Sequence, residues 1–447
     1  MKRLALFLAI VLLFTISISV PVPVSASYQV PFEVQAKAVY LVNLDTGQVV
    51  YEKNAQGTVF PASVTKIMTA VLVLENVRNI DTETIIVEPY MLEEFQNLGY
   101  SYSNAGLLNY EEFTVRDLLY AILIQSASDA ADVLAAHVGG GSISTFVSMM
   151  NDKARELGMT GTQFANPHGL HNDNHYTTAY DLYILTTYAM KLPGFMDMVQ
   201  TNAYDFVTNL RPSANYLITT NYLQDNARHP ELYYAPIRGI KTGTTDEAGS
   251  CLVSTATKDG YTYLLILMGA PLEDEEGETY AVRQAFVETP KLYNWAFDNF
   301  SVTPLINESS LQYEIPLELC WGKDFLQLKI VDNFDQLFPN NYDTTSLQKV
   351  YRLPDSIKAP VDEGALVGTM DLILSGELIG TVNLYAAESV ERSLPLFLFS
   401  VVIEGIKTTW FKLGILFFAL FWLFFIICSV VTNRYRRMYA NRKRKRY

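Results

Sequence analysis

The sequence predicts an α/β (α+β) domain built on a largely antiparallel sheet, then a small all-β domain and a C-terminal transmembrane helix. Three observations carry this prediction. Strand-like alternation stands at both ends of the first 300 residues, with helical periodicity between. From about 301 to 392 the texture changes to short β-rich runs separated by turn residues. Finally, Leu413 to Val431, "LGILFFALFWLFFIICSVV", carries no charge across a membrane's thickness of helix.

Taken in chain order, Lys2 and Arg3 precede an apolar stretch, and Val24-Ser25-Ala26 supplies small residues for cleavage. Residues 1–26 therefore read as a secretory signal peptide, with an N-terminal membrane anchor as the alternative. Residues 36–52 alternate as two strands around Asp45-Thr46-Gly47. A helix is expected from Ser63, further helices over 114–138 and 143–159, and a hairpin over 251–270 turning at Lys258-Asp259-Gly260. A last helix fits "AVRQAFVETPKLYNWAFDNF", with Pro290 expected to break it. Residues 27–300 thus form the first domain and 301–392 the β-rich one. Residues 393–412 read as an apolar linker, 413–431 as the span, and 432–447 as a basic tail on the cytoplasmic side.

Charge narrows the function. Eleven of the 33 basic residues lie in 1–26 and 411–447, which hold no acid, so residues 27–410 carry 22 basic against 47 acidic residues. So acidic a surface argues against nucleic acid as a partner. Cys428 falls in the span, leaving Cys251 and Cys320 as the one exported pair. There is no Cys–His metal spacing and no Gly-rich phosphate loop.

The chemistry is written in "PASVTKIMTAVLVLE" (61–75), which places one lysine in an apolar run three residues after Ser63. Residues three apart share a helix face, and a helix apolar nearly all round is buried. Burial pushes a lysine pKa down, so Lys66 becomes a base beside a nucleophilic hydroxyl. By itself the spacing is weak, because "SLQK" at 346–349 repeats it. Ser63 as a helix cap with a snorkelling lysine is the plainer alternative. Ser126 and Ser128, in "LIQSASDAADVLAAH", sit where a helix begins near Asp129, and N-capping is their alternative. Lys241-Thr242-Gly243 precedes a strand, where a cation, a hydroxyl and a glycine can dock an anionic acyl donor; a hairpin turn is the alternative.

Together, in this order, S-x-x-K, S-x-S and K-T-G resemble the motif set of serine β-lactamases and penicillin-binding proteins. With "NPHGLHNDNHYTTAYDL" (166–182) and "IKTGTTDEAGSCLVSTAT", residues 30–300 look like the D-alanyl-D-alanine carboxypeptidases, the low-molecular-mass penicillin-binding proteins. Residues 301–392 are similar to that family's C-terminal domain. The resemblance implies a penicillin-binding/β-lactamase-like transpeptidase fold acting on peptidoglycan stem peptides, with β-lactams as covalent inhibitors. By the same resemblance Ser63 is the nucleophile, Lys66 the base and Ser126 the proton relay. Lys241, Thr242, Gly243, Thr244 and Ser128 would bind substrate, with the N–H groups of Ser63 and Thr244 as oxyanion hole. Arg283 would assist at the carboxylate. No metal or organic cofactor is implied.

Ser128 departs from the family, which carries Asn at that place; a hydroxyl reaches fewer partners than an amide. This keeps open a catalytically weakened or inactive, membrane-tethered wall-binding or scaffold protein on the same fold. A class A β-lactamase is disfavoured, because "TGTQFANPHGL" lacks the deacylating glutamate. His168, His171 and His175 read as packing and hydrogen-bonding residues, not as metal ligands.

Overall fold

The computed structural model describes residues 28–97, 102–213, 215–306, 313–331, 334–340, 343, 345–374 and 376–444. The expected signal peptide lies outside them. The chain divides into two compact units, one running to Thr303 with residues 336–342, the other comprising 304–335 and 343–447.

In the first unit, strands β1 (Ala38–Asn43) and β2 (Val49–Lys53) form the expected hairpin. Two two-stranded antiparallel sheets follow: β3 (Thr84–Ile86) with β4 (Glu112–Thr114), and β5 (Ala203–Phe206) with β6 (Asn215–Ile218). The main sheet is completed by β7 (Ile237–Thr245), β8 (Gly249–Lys258) and β9 (Tyr261–Ala270) in the order β2-β1-β9-β8-β7, antiparallel throughout. Both faces are covered. On β9, Leu264, Ile266 and Met268 point into one core, while Tyr263, Leu265 and Leu267 point into the other. Period-two alternation therefore appears in the structure although both faces are apolar.

The first core is shared with a helical layer: α1 (Lys66–Asn76), α2 (Val115–Leu123), α3 (Ser128–Val138), α4 (Ile143–Leu157), α5 (Ala179–Ala189) and α6 (Phe195–Val199). The periodicity over 114–138 resolves into two helices. Thr114 and Asp117 make a capping box at the start of α2, and Ser126 at φ +66° turns the chain before α3. The other face is covered by α7 (Gln284–Asn299), which is not broken at Pro290. Burial of Phe286, Leu292, Tyr293 and Ala296 holds it, since each large apolar side chain contributes about 1.5–3 kcal/mol against about 3 for the proline.

The second unit contains a six-stranded sheet ordered 348–352, 366–374, 377–386, 325–329, 313–318 and 357–358. Ile315, Leu326, Leu328, Met370, Leu372 and Leu384 form its core. Residues 394–407, expected as linker, form a helix, α8 (Leu394–Lys407), with no buried residue. Ser400, Glu404 and Lys407 recur on one side of it, and Glu404 lies 3.6 Å from Lys358 on the sheet's last strand. Leu394, Leu398, Phe399, Val402 and Ile406 are exposed. The final helix, α9 (Thr409–Arg444), contains a wholly exposed segment, Thr409–Met438, long and apolar enough to cross a bilayer. The three cysteines are free.

Candidate active site

Ser63 lies in a 3-10 turn, Ala62–Thr65, immediately before α1, so the helix starts at the lysine and not at the serine. The turn is tight: Ala62 takes φ +47°, a left-handed conformation costly for alanine. Two glycines permit the close packing around it. A Cβ on Gly169 would fall 1.9 Å from the Ala62 carbonyl oxygen, and one on Gly243 would fall 3.1 Å from both Pro61 O and Ser63 N. Gly243 thus lets the edge strand β7 lie against the nucleophile's own backbone.

Lys66 is completely buried. Its Nζ donates to Ser63 Oγ (3.0 Å), Ser128 Oγ (3.2 Å) and the His168 carbonyl (2.5 Å). Burial lowers its pKa from the ordinary 10.5 to about 7, while Asp129 and Asp132 push it back up. A lysine held down in this way can take a proton near neutral pH, as a general base requires. Ser63 itself is only half-buried and open to a substrate.

Ser128 is 2% exposed and is the first residue of α3. Neither it nor Ser126 caps that helix, whose N-cap is Ala127 with no side-chain bond. Ser128 N donates to Ser103 O at 2.8 Å, and Asp129 accepts from the N–H groups of Ala105 and Leu107. The segment 103–107 is thereby fastened to the second motif. Ser128, expected among the substrate-binding residues, is buried and accepts a hydrogen bond from Lys66, so it is a partner of the base. Ser126, almost buried, occupies the turn two residues earlier.

The third motif lies on β7. Lys241 is 1% exposed, and its Nζ donates to the Thr242 carbonyl at 3.0 Å. Burial, with Lys66 and Arg283 nearby, holds its pKa well below 10.5. Arg283 is exposed at the N-cap of α7. Thr242 and Thr220 share a hydroxyl hydrogen bond of 2.5 Å. The Thr244 hydroxyl is buried without a partner among the described residues, which leaves it free for a ligand.

His168 and His175 are buried and hydrogen-bonded. His175 Nδ1 accepts from Ala165 N, so its Nε2–H donates to Thr65 Oγ1 at 2.7 Å, and burial lowers its pKa to about 3. His168 Nδ1 accepts from Leu170 N at 3.1 Å, which leaves the ring proton on Nε2. Nε2 lies 3.5 Å from Glu94 Oε2 and 3.8 Å from Asp132 Oδ1. These three donors gather within 4.8 Å. They do not suit a metal, because the atom that would bind it carries the proton while the other nitrogen accepts from a backbone N–H. Sequence reasoning missed Glu94 and Asp132. Asp132 had a signal: it is a second acid, four residues after Ser128, in an otherwise apolar helix.

A family model described as D-alanyl-D-alanine carboxypeptidase matches residues 24–272, and one described as penicillin-binding protein 5, C-terminal domain, matches residues 321–392. The D-alanyl-D-alanine carboxypeptidase DacF of Bacillus subtilis is 29% identical over 360 residues, 80% of this chain and 87% of its own. DacC of Escherichia coli is 28% identical over 370 residues, 80% of this chain and 85% of its own. Penicillin binding protein 5 of Haemophilus influenzae shares the fold, with a TM-score of 0.64, 24% identity and coverage of 82% of this chain and all of that one. The first match spans more than half of the chain, and the chain belongs to the D-alanyl-D-alanine carboxypeptidase family.

Proposed function

We propose that this chain is a serine-type D-alanyl-D-alanine carboxypeptidase that removes the terminal D-alanine from peptidoglycan stem pentapeptides through an acyl-enzyme on Ser63. The observation that carries this reading is the hydrogen bond from a fully buried Lys66 to the half-buried Ser63. Lys66 Nζ takes the proton as Ser63 Oγ bonds to the carbonyl carbon of the penultimate D-alanine. Developing negative charge on the carbonyl oxygen is met by the N–H groups of Ser63 and Thr244, and Ser63 N lies beside Gly243, next to Thr244. Ser126 passes the proton to the departing amine as the C–N bond breaks, and water then hydrolyses the ester. Lys241, Thr242 and the unpartnered Thr244 hydroxyl hold the substrate's terminal carboxylate. β-Lactams enter the first step and stay on Ser63. The chemistry calls for no cofactor.

Ser128 keeps a hydroxyl on Lys66, so the residue that motivated an inactive scaffold still serves the base. Residues 1–26 export the chain, residues 27–300 carry catalysis, the β-rich 301–392 follows them in the sequence, and α9 anchors the protein with its basic tail in the cytoplasm.

The test uses the full-length protein in detergent with a labelled penicillin, peptide mapping and D-alanine release from a pentapeptide. Label on Ser63, lost in Lys66→Ala, with stoichiometric D-alanine release is expected. Folded protein that takes no label at saturating penicillin would sink the reading.

A further inference from the structure

Asp132 follows Ser128 by four residues on α3, so the two share one helix face. Ser128 bonds Lys66 directly, and Asp132 acts on the same ammonium. Asp132 is completely buried, and neither of its carboxyl oxygens has a hydrogen-bond partner among the described residues. The other acid of this helix is different: Asp129 accepts from the N–H groups of Ala105, Leu107 and Ala130. Asp129 fastens a loop, whereas Asp132 has no such employment. A buried carboxyl left unsatisfied is costly, and one beside a buried lysine exchanges charge with it. Behind Asp132, the Nε2–H of His168 faces both that carboxyl and the half-exposed Glu94, which leads to solvent.

We propose that Asp132 is a positioning residue of the acylation step, the counter-charge for the ammonium that Lys66 becomes when it takes the Ser63 proton. This inference rests on the proposed function. While Lys66 is neutral, the low-dielectric surroundings keep Asp132 protonated. As Lys66 gains the proton, Asp132 releases its own past Glu94 to solvent, and the His168 Nε2–H, which keeps its proton, donates to the carboxylate left behind. The sequence reverses when Lys66 releases its proton towards the leaving amine. Charge inside the pocket is thus balanced without water entering it. The other titratable groups facing Lys66 are Asp129, His168, His175 and Lys241, with Arg283 beyond Lys241.

The experiment measures the acylation rate of the full-length protein by a labelled penicillin from pH 5 to 10. Asp132→Asn and Asp132→Leu remove the charge with different polarity. Both are expected to lower the plateau and to move the acidic limb to lower pH by about one unit, because Lys66 loses a neighbour that favoured its ammonium. Glu94→Gln, on a half-exposed side chain, is expected to move the limb the other way, since Asp132 then ionises more readily. An acidic limb unchanged in the folded Asp132 variants, with only the melting temperature altered, overturns the proposal. If neither buried variant folds, an unmoved limb in Glu94→Gln overturns it. Wild-type protein that is not acylated at any pH contradicts the proposed function instead.

Discussion

Ser128 Oγ and Lys66 Nζ are 3.2 Å apart, a bond between the first residue of one helix and the first residue of another. Together with the His168 carbonyl it fixes the lysine, whose third bond is to Ser63. Ser128→Ala removes that support at a cost of about 1 kcal/mol, or roughly five-fold in acylation rate. The expected loss appears in the rate constant for acylation and not in penicillin affinity, which stopped-flow measurement at several penicillin concentrations separates.

Lys66→Met should keep the fold and abolish the chemistry. An apolar side chain of similar length relieves a buried polar group, so the melting temperature is expected to stay level or rise, while labelling of Ser63 falls by about a thousand-fold or more. A variant that melts much earlier than wild type would contradict the burial described for this site.

The lowered pKa of Lys66 also makes stability depend on pH. Between its folded value of about 7 and its ordinary 10.5, the unfolded chain binds the proton that the folded one has released. Stability contributed by this group therefore rises with pH across that window and is absent below about 7. Melting curves of wild type and Lys66→Met at pH 7, 8, 9 and 10 should diverge, with the wild type gaining relative to the variant as pH increases. Parallel curves would show that the lysine titrates normally.

Lys241→Ala is expected to reduce kcat/KM for a peptide ending in a free carboxylate by about ten- to a hundred-fold, the value of one charge-assisted hydrogen bond. The same substitution should matter far less for the corresponding terminal amide. Equal losses on both substrates would place Lys241 in structural support and not in carboxylate binding.

Removing residues 409–447 should release the protein from membranes only in part. The exposed apolar side of α8, Leu394, Leu398, Phe399, Val402 and Ile406, remains after that truncation. Sedimentation with vesicles before and after adding Leu398→Asp and Phe399→Asp checks this. The expected order of release is full-length chain least, truncation intermediate and truncation with both aspartates most.

Much of this site is local in sequence, and that is why it could be read. Ser63 and Lys66 are one helical turn apart, and Lys241, Thr242, Gly243 and Thr244 are consecutive on one strand. Most of the sheet was legible because β1-β2 and β7-β8-β9 come as hairpins of chain neighbours, joined by the one long-range pairing of β1 with β9. Glu94, Asp132 and His168 were not, since they arrive from three separate segments and meet only behind Lys66. The unbroken α7 was missed for the opposite reason: a local rule about Pro290 yields to packing that only the folded sheet supplies. α8 escaped because a helix apolar on most sides has no strong period to show.

Gly243 connects two demands that a drug-resistant variant would prefer to keep separate. Strand β7 carries the residues proposed to grip the substrate's carboxylate, and at Gly243 it also rests on the backbone of Ser63. Any change that pushes this strand outward to shut out a β-lactam will drag on the turn that aims the nucleophile. Resistance by reshaping this wall therefore carries a built-in loss of wall-trimming capacity.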